Sequence, residues 1–174
     1  MTATRFTRAA IIGFAAAGLF GLSTAQASEA DFLSRFQGAF SGSGEVQRNA
    51  NESPNQVQCT LTGQPTASGV TMSGECGAFI FSKQIRADIR FDPASGRYTG
   101  TYVGSSIGPA SLAGSRRGDA VVLTITWPQP VNGDTRATMT IRNSGNGQLA
   151  ITVTDRVEPG GPTAQVTRLA LAKI

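Results

Sequence analysis

Apolar positions along this chain recur mostly at every second residue, in short runs separated by turn residues. Gln84 to Phe91 shows the rhythm most plainly: Ile85, Ala87, Ile89 and Phe91 alternate with Arg86, Asp88 and Arg90. Period-2 alternation is the pattern of a strand with one wet face. The same rhythm places strands at Gly38 to Val46, around Val57-Cys59-Leu61, and from Gly69 to Cys76. It continues at Tyr98 to Gly104, at Leu112-Ala113-Gly114 and from Val121 to Trp127, ending before Pro128. Ala137-Met139-Ile141, Leu149-Ile151-Val153 and a last run from Ala164 to Ala172 complete the series. Asp92-Pro93-Ala94-Ser95-Gly96, Arg117-Gly118-Asp119, Asn132-Gly133-Asp134 and Ser144-Gly145-Asn146-Gly147 supply the intervening turns, with glycine or asparagine where φ must be positive. Only Glu29 to Phe36, with Phe32, Leu33 and Phe36 apolar, reads as a short helix. Consecutive hairpins at this spacing predict an all-β fold, an antiparallel up-and-down β-barrel of about 8–10 strands with a short N-terminal helix. Closure would remove the open sheet edges.

The first residues follow another rule. Arg5 and Arg8 precede an uncharged apolar stretch, Ala9 to Leu22, and Ala25-Gln26-Ala27 has the small-x-small form of a cleavage site. This is the pattern of a secretory signal peptide, and the apolar stretch is shorter than the roughly 20 residues a bilayer core requires. Residues 1–27 are therefore read as a signal peptide cleaved after Ala27, and 28–174 as a single β-barrel domain in the periplasm or outside the cell, with no membrane span. Without Arg5 and Arg8 the formal charge falls from +4 to +2. The remaining bases are scattered, so no nucleic-acid stripe is present.

Two cysteines in an exported chain predict one disulfide, and the hairpin register supports it. If Thr66 pairs with Gly69 across the turn, Cys59 stands directly opposite Cys76.

The chemistry is defined largely by exclusion. The chain has no histidine, which removes the usual general base and the commonest metal ligand, and oxidised cysteines leave no thiolate. No phosphate-binding glycine motif precedes a helix. The expectation is a protein that is not an enzyme and uses no metal and no cofactor. Asp155 continues the alternation of Leu149, Ile151 and Val153, so it falls on the interior face unless the strand twists outward at its end. Tyr98, Tyr102 and Trp127 are the candidate ligand-binding residues at a barrel mouth: each joins an apolar body to a polar tip. Plain core packing is the alternative for all three. Arg86, Arg90 and Arg97 flank one hairpin and suit either a solvated face or an acidic partner.

Thr99-Gly100-Thr101-Tyr102, the strand at Leu112-Ala113-Gly114 and the run Val121 to Trp127 resemble the middle of avidin-type barrels. A helical turn followed by Gly38-Ala39-Phe40 is similar to the start of the first strand in calycins generally. The resemblance implies an eight-stranded barrel holding a small ligand at its mouth, with Tyr102 in the place of a ligand-contacting tyrosine. Gly104 stands where the avidin pattern has serine, Trp127 is the sole tryptophan, and Phe40 replaces the lipocalin tryptophan. Ser95-Gly96-Arg97-Tyr98 also resembles the serine-glycine loop of periplasmic lysozyme inhibitors. Two functions follow as expectations. One is a small apolar or amphiphilic ligand bound at the mouth. The other is a protein-binding or inhibitor module, aimed at an envelope or extracellular protein, that acts through loops such as Arg48 to Gln56 or Ser105 to Ala110.

Overall fold

The computed structural model describes residues 21–78 and 81–174, with side chains from residue 28 onward. Helix α1 (Gly21–Ser34) is followed by ten strands. These are β1 (Gly38–Val46), β2 (Asn55–Thr66), β3 (Gly69–Ala78), β4 (Phe81–Asp92), β5 (Arg97–Val103), β6 (Ala110–Arg117), β7 (Ala120–Val131), β8 (Asp134–Asn143), β9 (Gln148–Arg156) and β10 (Thr163–Lys173). Each strand pairs antiparallel with its sequence neighbours, and β1 pairs with β10 to close the barrel. The count is ten, not the eight that the avidin and calycin resemblance implies.

Turn chemistry sets the register as expected. Thr66 pairs with Gly69 and Cys59 with Cys76, and the cysteines form a disulfide across Cα atoms 4.1 Å apart. Asn132 (φ 49°) and Gly133 (φ 92°) both adopt positive φ between the paired Val131 and Asp134, the two-residue hairpin geometry that follows strand twist. Two boundaries differ most from the sequence reading. Strand β7 runs through Pro128 and Pro130 to Val131, because the β7–β8 register breaks between Thr126 and Val131 and no ladder hydrogen bond is asked of either proline. The helix begins at Gly21 and ends at Ser34, so it spans the expected cleavage site and stops two residues early. The expected basic residues and most of the apolar stretch lie outside the described residues.

Connectivity gives the barrel two unlike ends. The turns at residues 66–69, 92–97, 117–120 and 143–148 share one end with α1; the connections at residues 47–54, 104–109, 132–133 and 157–162 share the other. Alternate residues of every strand enter the core. Phe40, Leu123 and Ile125 are fully buried, and Leu61, Leu112 and Leu171 nearly so. Phe32 and Leu33 in the last turn of α1, and Phe36 two residues beyond it, are inserted into this core, each contributing about 1.5–3 kcal/mol if fully buried. Gly63 makes the fit possible, since a Cβ there would overlap the Phe36 carbonyl oxygen. The space left beside Phe32, Phe36, Met72 and Tyr98 is about 10 Å³, room for no more than one water. The helix thus plugs one end of a packed barrel.

Candidate functional site at the open end

One group of inward-facing polar side chains lies at the open end. Tyr102 comes from β5, Trp127 from β7 and Asp155 from β9, with β6 and β8 between them. Small side chains on the intervening strands let these groups meet. Tyr102 pairs with Ala110 on β6, and over that alanine the Tyr102 and Trp127 rings meet edge to face, centroids 6.2 Å apart. The preferred aromatic geometry is of this kind. Ala137 on β8 and Ala164, the β10 partner of Asp155, leave room for the carboxyl.

Asp155 is 4 % exposed. Its Oδ2 accepts the Trp127 indole N–H at 3.0 Å, and its Oδ1 accepts the Arg156 backbone N–H at 2.7 Å. Burial pushes the carboxyl above the ordinary aspartate range; these two donors and the Arg156 charge oppose that rise, while Asp134 adds to it. Burial also raises the Tyr102 phenol. The Tyr102 ring folds back over Gly104, where a Cβ would overlap the hydroxyl. The glycine standing in place of the avidin serine therefore makes room for this tyrosine.

Tyr98 does not join this group. It lies at the plugged end with no exposed surface, its ring tilted against that of Phe91 with centroids 5.2 Å apart. Its hydroxyl donates to Glu29 Oε2 at 2.5 Å. Arg116 Nε donates to the other Glu29 oxygen at 2.9 Å, and its guanidinium lies 5.0 Å over the Phe32 ring. Burial, then the bond to Glu29, holds the Tyr98 phenol far above its ordinary range. This network ties α1 to β5 and β6. The sequence carries no local signal for it, because Glu29 and Arg116 are 87 residues apart.

Around the open rim, side chains lace one flank together. Arg156 Nε donates to Asp134 Oδ2 at 2.7 Å and a terminal nitrogen donates to the Gly161 carbonyl. Asn132 Nδ2 donates to the Arg156 carbonyl at 2.7 Å, and Ala50 N–H to the Val157 carbonyl at 3.1 Å. A shallow groove of about 80 Å³ opens between Glu45, Gln47, Pro54, Gln165 and Arg168. On the opposite flank the β3–β4 hairpin outruns its neighbour: β3 pairs with β4 as far as Ala78 and Phe81, but β4 pairs with β5 only from Arg86 and Val103. Phe81 is 77 % exposed. Among the described residues no group of three or more His, Cys, Asp or Glu gathers as metal ligands. No described helix is long and apolar enough to cross a membrane.

These features define a closed ten-stranded antiparallel β-barrel, plugged by α1 at one end, with the Tyr102, Trp127 and Asp155 group at the other. No family model matches the chain, and no curated protein matches it in sequence. Among solved structures it is similar to Rv2717c from M. tuberculosis, with a TM-score of 0.63 and 16 % identity over 90 % of this chain and 99 % of that one. At that identity the likeness is one of fold.

Proposed function

We propose that the chain is an exported, non-catalytic binding module that engages an extracytoplasmic partner protein through the open rim of its barrel. Export is supported by the basic and apolar N-terminal pattern with Ala25-Gln26-Ala27, and by the Cys59–Cys76 disulfide, a bond typical of oxidising compartments. The observation that carries the binding reading is the projecting β3–β4 hairpin, with open backbone on one side of β4 and Phe81 exposed beside it. Phe81 and Val103 are both exposed at this rim, and exposed apolar patches rimmed by polar residues mark interaction sites. At the plugged end a ligand would have to displace packed side chains, since the space there is about 10 Å³. The chemistry fits binding, because Asp155 has an indole and a backbone amide as partners rather than a second acid or a base.

The rim reading is tested with a photo-reactive residue placed at Phe81, at Ser106 or, at the plugged end, at Ser95, in protein exported by its own signal. A discrete cross-linked protein from the two rim positions and none from Ser95 is expected. Equal labelling at both ends, or none at the rim, would overturn it.

One observation favours a second reading, a small amphiphile bound at the mouth. The half-buried Tyr102–Trp127 pair beside a buried carboxyl offers an apolar face, a phenol and a hydrogen-bonding acid within one patch. Titration with a fluorescent fatty-acid probe against Trp127 emission separates the readings: saturable one-to-one quenching supports the amphiphile, and unchanged emission leaves the rim.

A further inference from the structure

We infer that the free side of β4 at residues 81–85 is a docking edge for an extended partner segment that carries an acidic residue between two apolar ones and joins the barrel as an added strand. The inference rests on the rim reading and names the chemistry of the partner.

Ladders stop short at other strand ends too, as where β7 has no β6 partner beyond Thr126, but residues 81–85 are a stretch laddered without a break on one side and open on the other. β4 has β3 beside it through the Ala78–Phe81 pair, while the β5 ladder stops at Val103 opposite Arg86. Among the described residues, no strand lies on the other side of residues 81–85. Beyond Val103 the chain turns away. The Ser105 hydroxyl donates to the Gly108 carbonyl at 2.8 Å, Gly108 takes a φ of 107°, and it sits against Pro128 of β7. A lane in line with β5 is left vacant. At about 3.3 Å per residue it is roughly 17 Å long, the length of a five-residue strand.

An unpaired edge offers alternating N–H and C=O groups that an extended backbone satisfies. The side chains define what that backbone must carry. Alternation puts Phe81, Lys83 and Ile85 in one row and Ser82 and Gln84 in the other. Gln84 is already engaged with Glu75 at 3.1 Å. Lys83 is exposed and forms no salt bridge among the described residues. A lone lysine is one way to keep an edge from pairing. Here it is flanked on its own face by two large apolar side chains, so the row reads apolar, cationic, apolar. Its complement is an acid flanked at i−2 and i+2 by apolar residues. A second copy of this chain is a poor occupant: antiparallel pairing about the centre of the segment sets Lys83 against Lys83.

The test uses the exported protein, isotope-labelled for amide spectroscopy, and a blocked heptapeptide of sequence threonine-valine-threonine-glutamate-threonine-valine-threonine. Amide shifts confined to residues 81–85 and Val103, with slowed hydrogen exchange at the same amides, are expected. A peptide with lysine in place of the glutamate should bind at least about tenfold more weakly, and Lys83→Glu should reverse that order. No shift at millimolar peptide, shifts centred elsewhere, or an order that Lys83→Glu leaves unchanged would overturn the docking edge. Rim cross-links that persist alongside such a failure would leave the binding module standing with another contact surface. Loss of the rim cross-links while the peptide still binds would reject the module and keep the edge.

Discussion

Removing one hydroxyl, by Tyr98→Phe, tests whether the plug is held by the network seen at the closed end. The hydroxyl donates to Glu29 at 2.5 Å, and Glu29 keeps Arg116 at 2.9 Å when it is gone. A hydrogen bond to a charged acceptor is worth about 1.5–3 kcal/mol. The charge is not stranded, so the cost stays below the roughly 3–5 kcal/mol of breaking a buried pair outright. About 2 kcal/mol is therefore expected. For a chain of this length that lowers the melting temperature by roughly 4–8 °C. Urea unfolding of wild type, Tyr98→Phe, Glu29→Gln and the double variant closes a cycle in which the two changes should be clearly non-additive. Amide exchange in α1 should accelerate ahead of exchange in the strands, since Phe32, Leu33 and Phe36 anchor the helix through the same end of the barrel. A Tyr98→Phe protein within about 0.5 kcal/mol of wild type, with additive behaviour in the cycle, would refute the network as the lock on the plug.

Two further outcomes follow from bonds already described. The Cys59–Cys76 bridge closes a separation of 17 residues, worth about 3 kcal/mol in the chain-entropy account; a Cys59→Ala/Cys76→Ala variant should melt roughly 6–12 °C lower, and an unchanged melt would show that the hairpin is as constrained without the bridge. Asp155 binds its proton more tightly folded than unfolded, so its contribution to stability should fall as pH rises above about 4 and level off once the folded-state carboxyl is ionised. Asp155→Asn should remove that fall. Asp88, Asp119 and Asp134 are held low by their hydrogen bonds and arginine partners, so their contribution runs the other way and is lost as pH drops below about 4. pH-dependent denaturant midpoints for the two proteins separate the trends, and parallel curves would contradict the assignment to Asp155.

How far the structure could be read in advance depended on the range of each signal. Hairpin register is local, so Thr66 to Gly69 sufficed to place Cys59 opposite Cys76. Alternation gives the face a residue occupies but not its height along the barrel. Tyr98 and Tyr102 both point inward, yet four residues of strand separate them by about 13 Å, which sends one to the plug and the other to the rim. Asp155 was accessible to the same alternation argument, and it is buried. Its contact with Trp127 passes over Ala137 on the strand between them, a packing fact that neither strand's own sequence contains. Strand β7 outran its expected end because prolines break a strand only where the ladder needs their N–H. The Glu29–Tyr98–Arg116 network and the vacant lane beside β4 are products of closure, and no window of sequence contains either.

The central claim is that the barrel is packed and works from its rim rather than by enclosing a ligand. Native mass spectrometry of the protein recovered from an exporting cell tests it most directly. The account predicts a bare chain of residues 28–174, lighter by two hydrogens for the Cys59–Cys76 bond. A one-to-one small-molecule adduct that survives gentle ionisation and leaves on activation would contradict it.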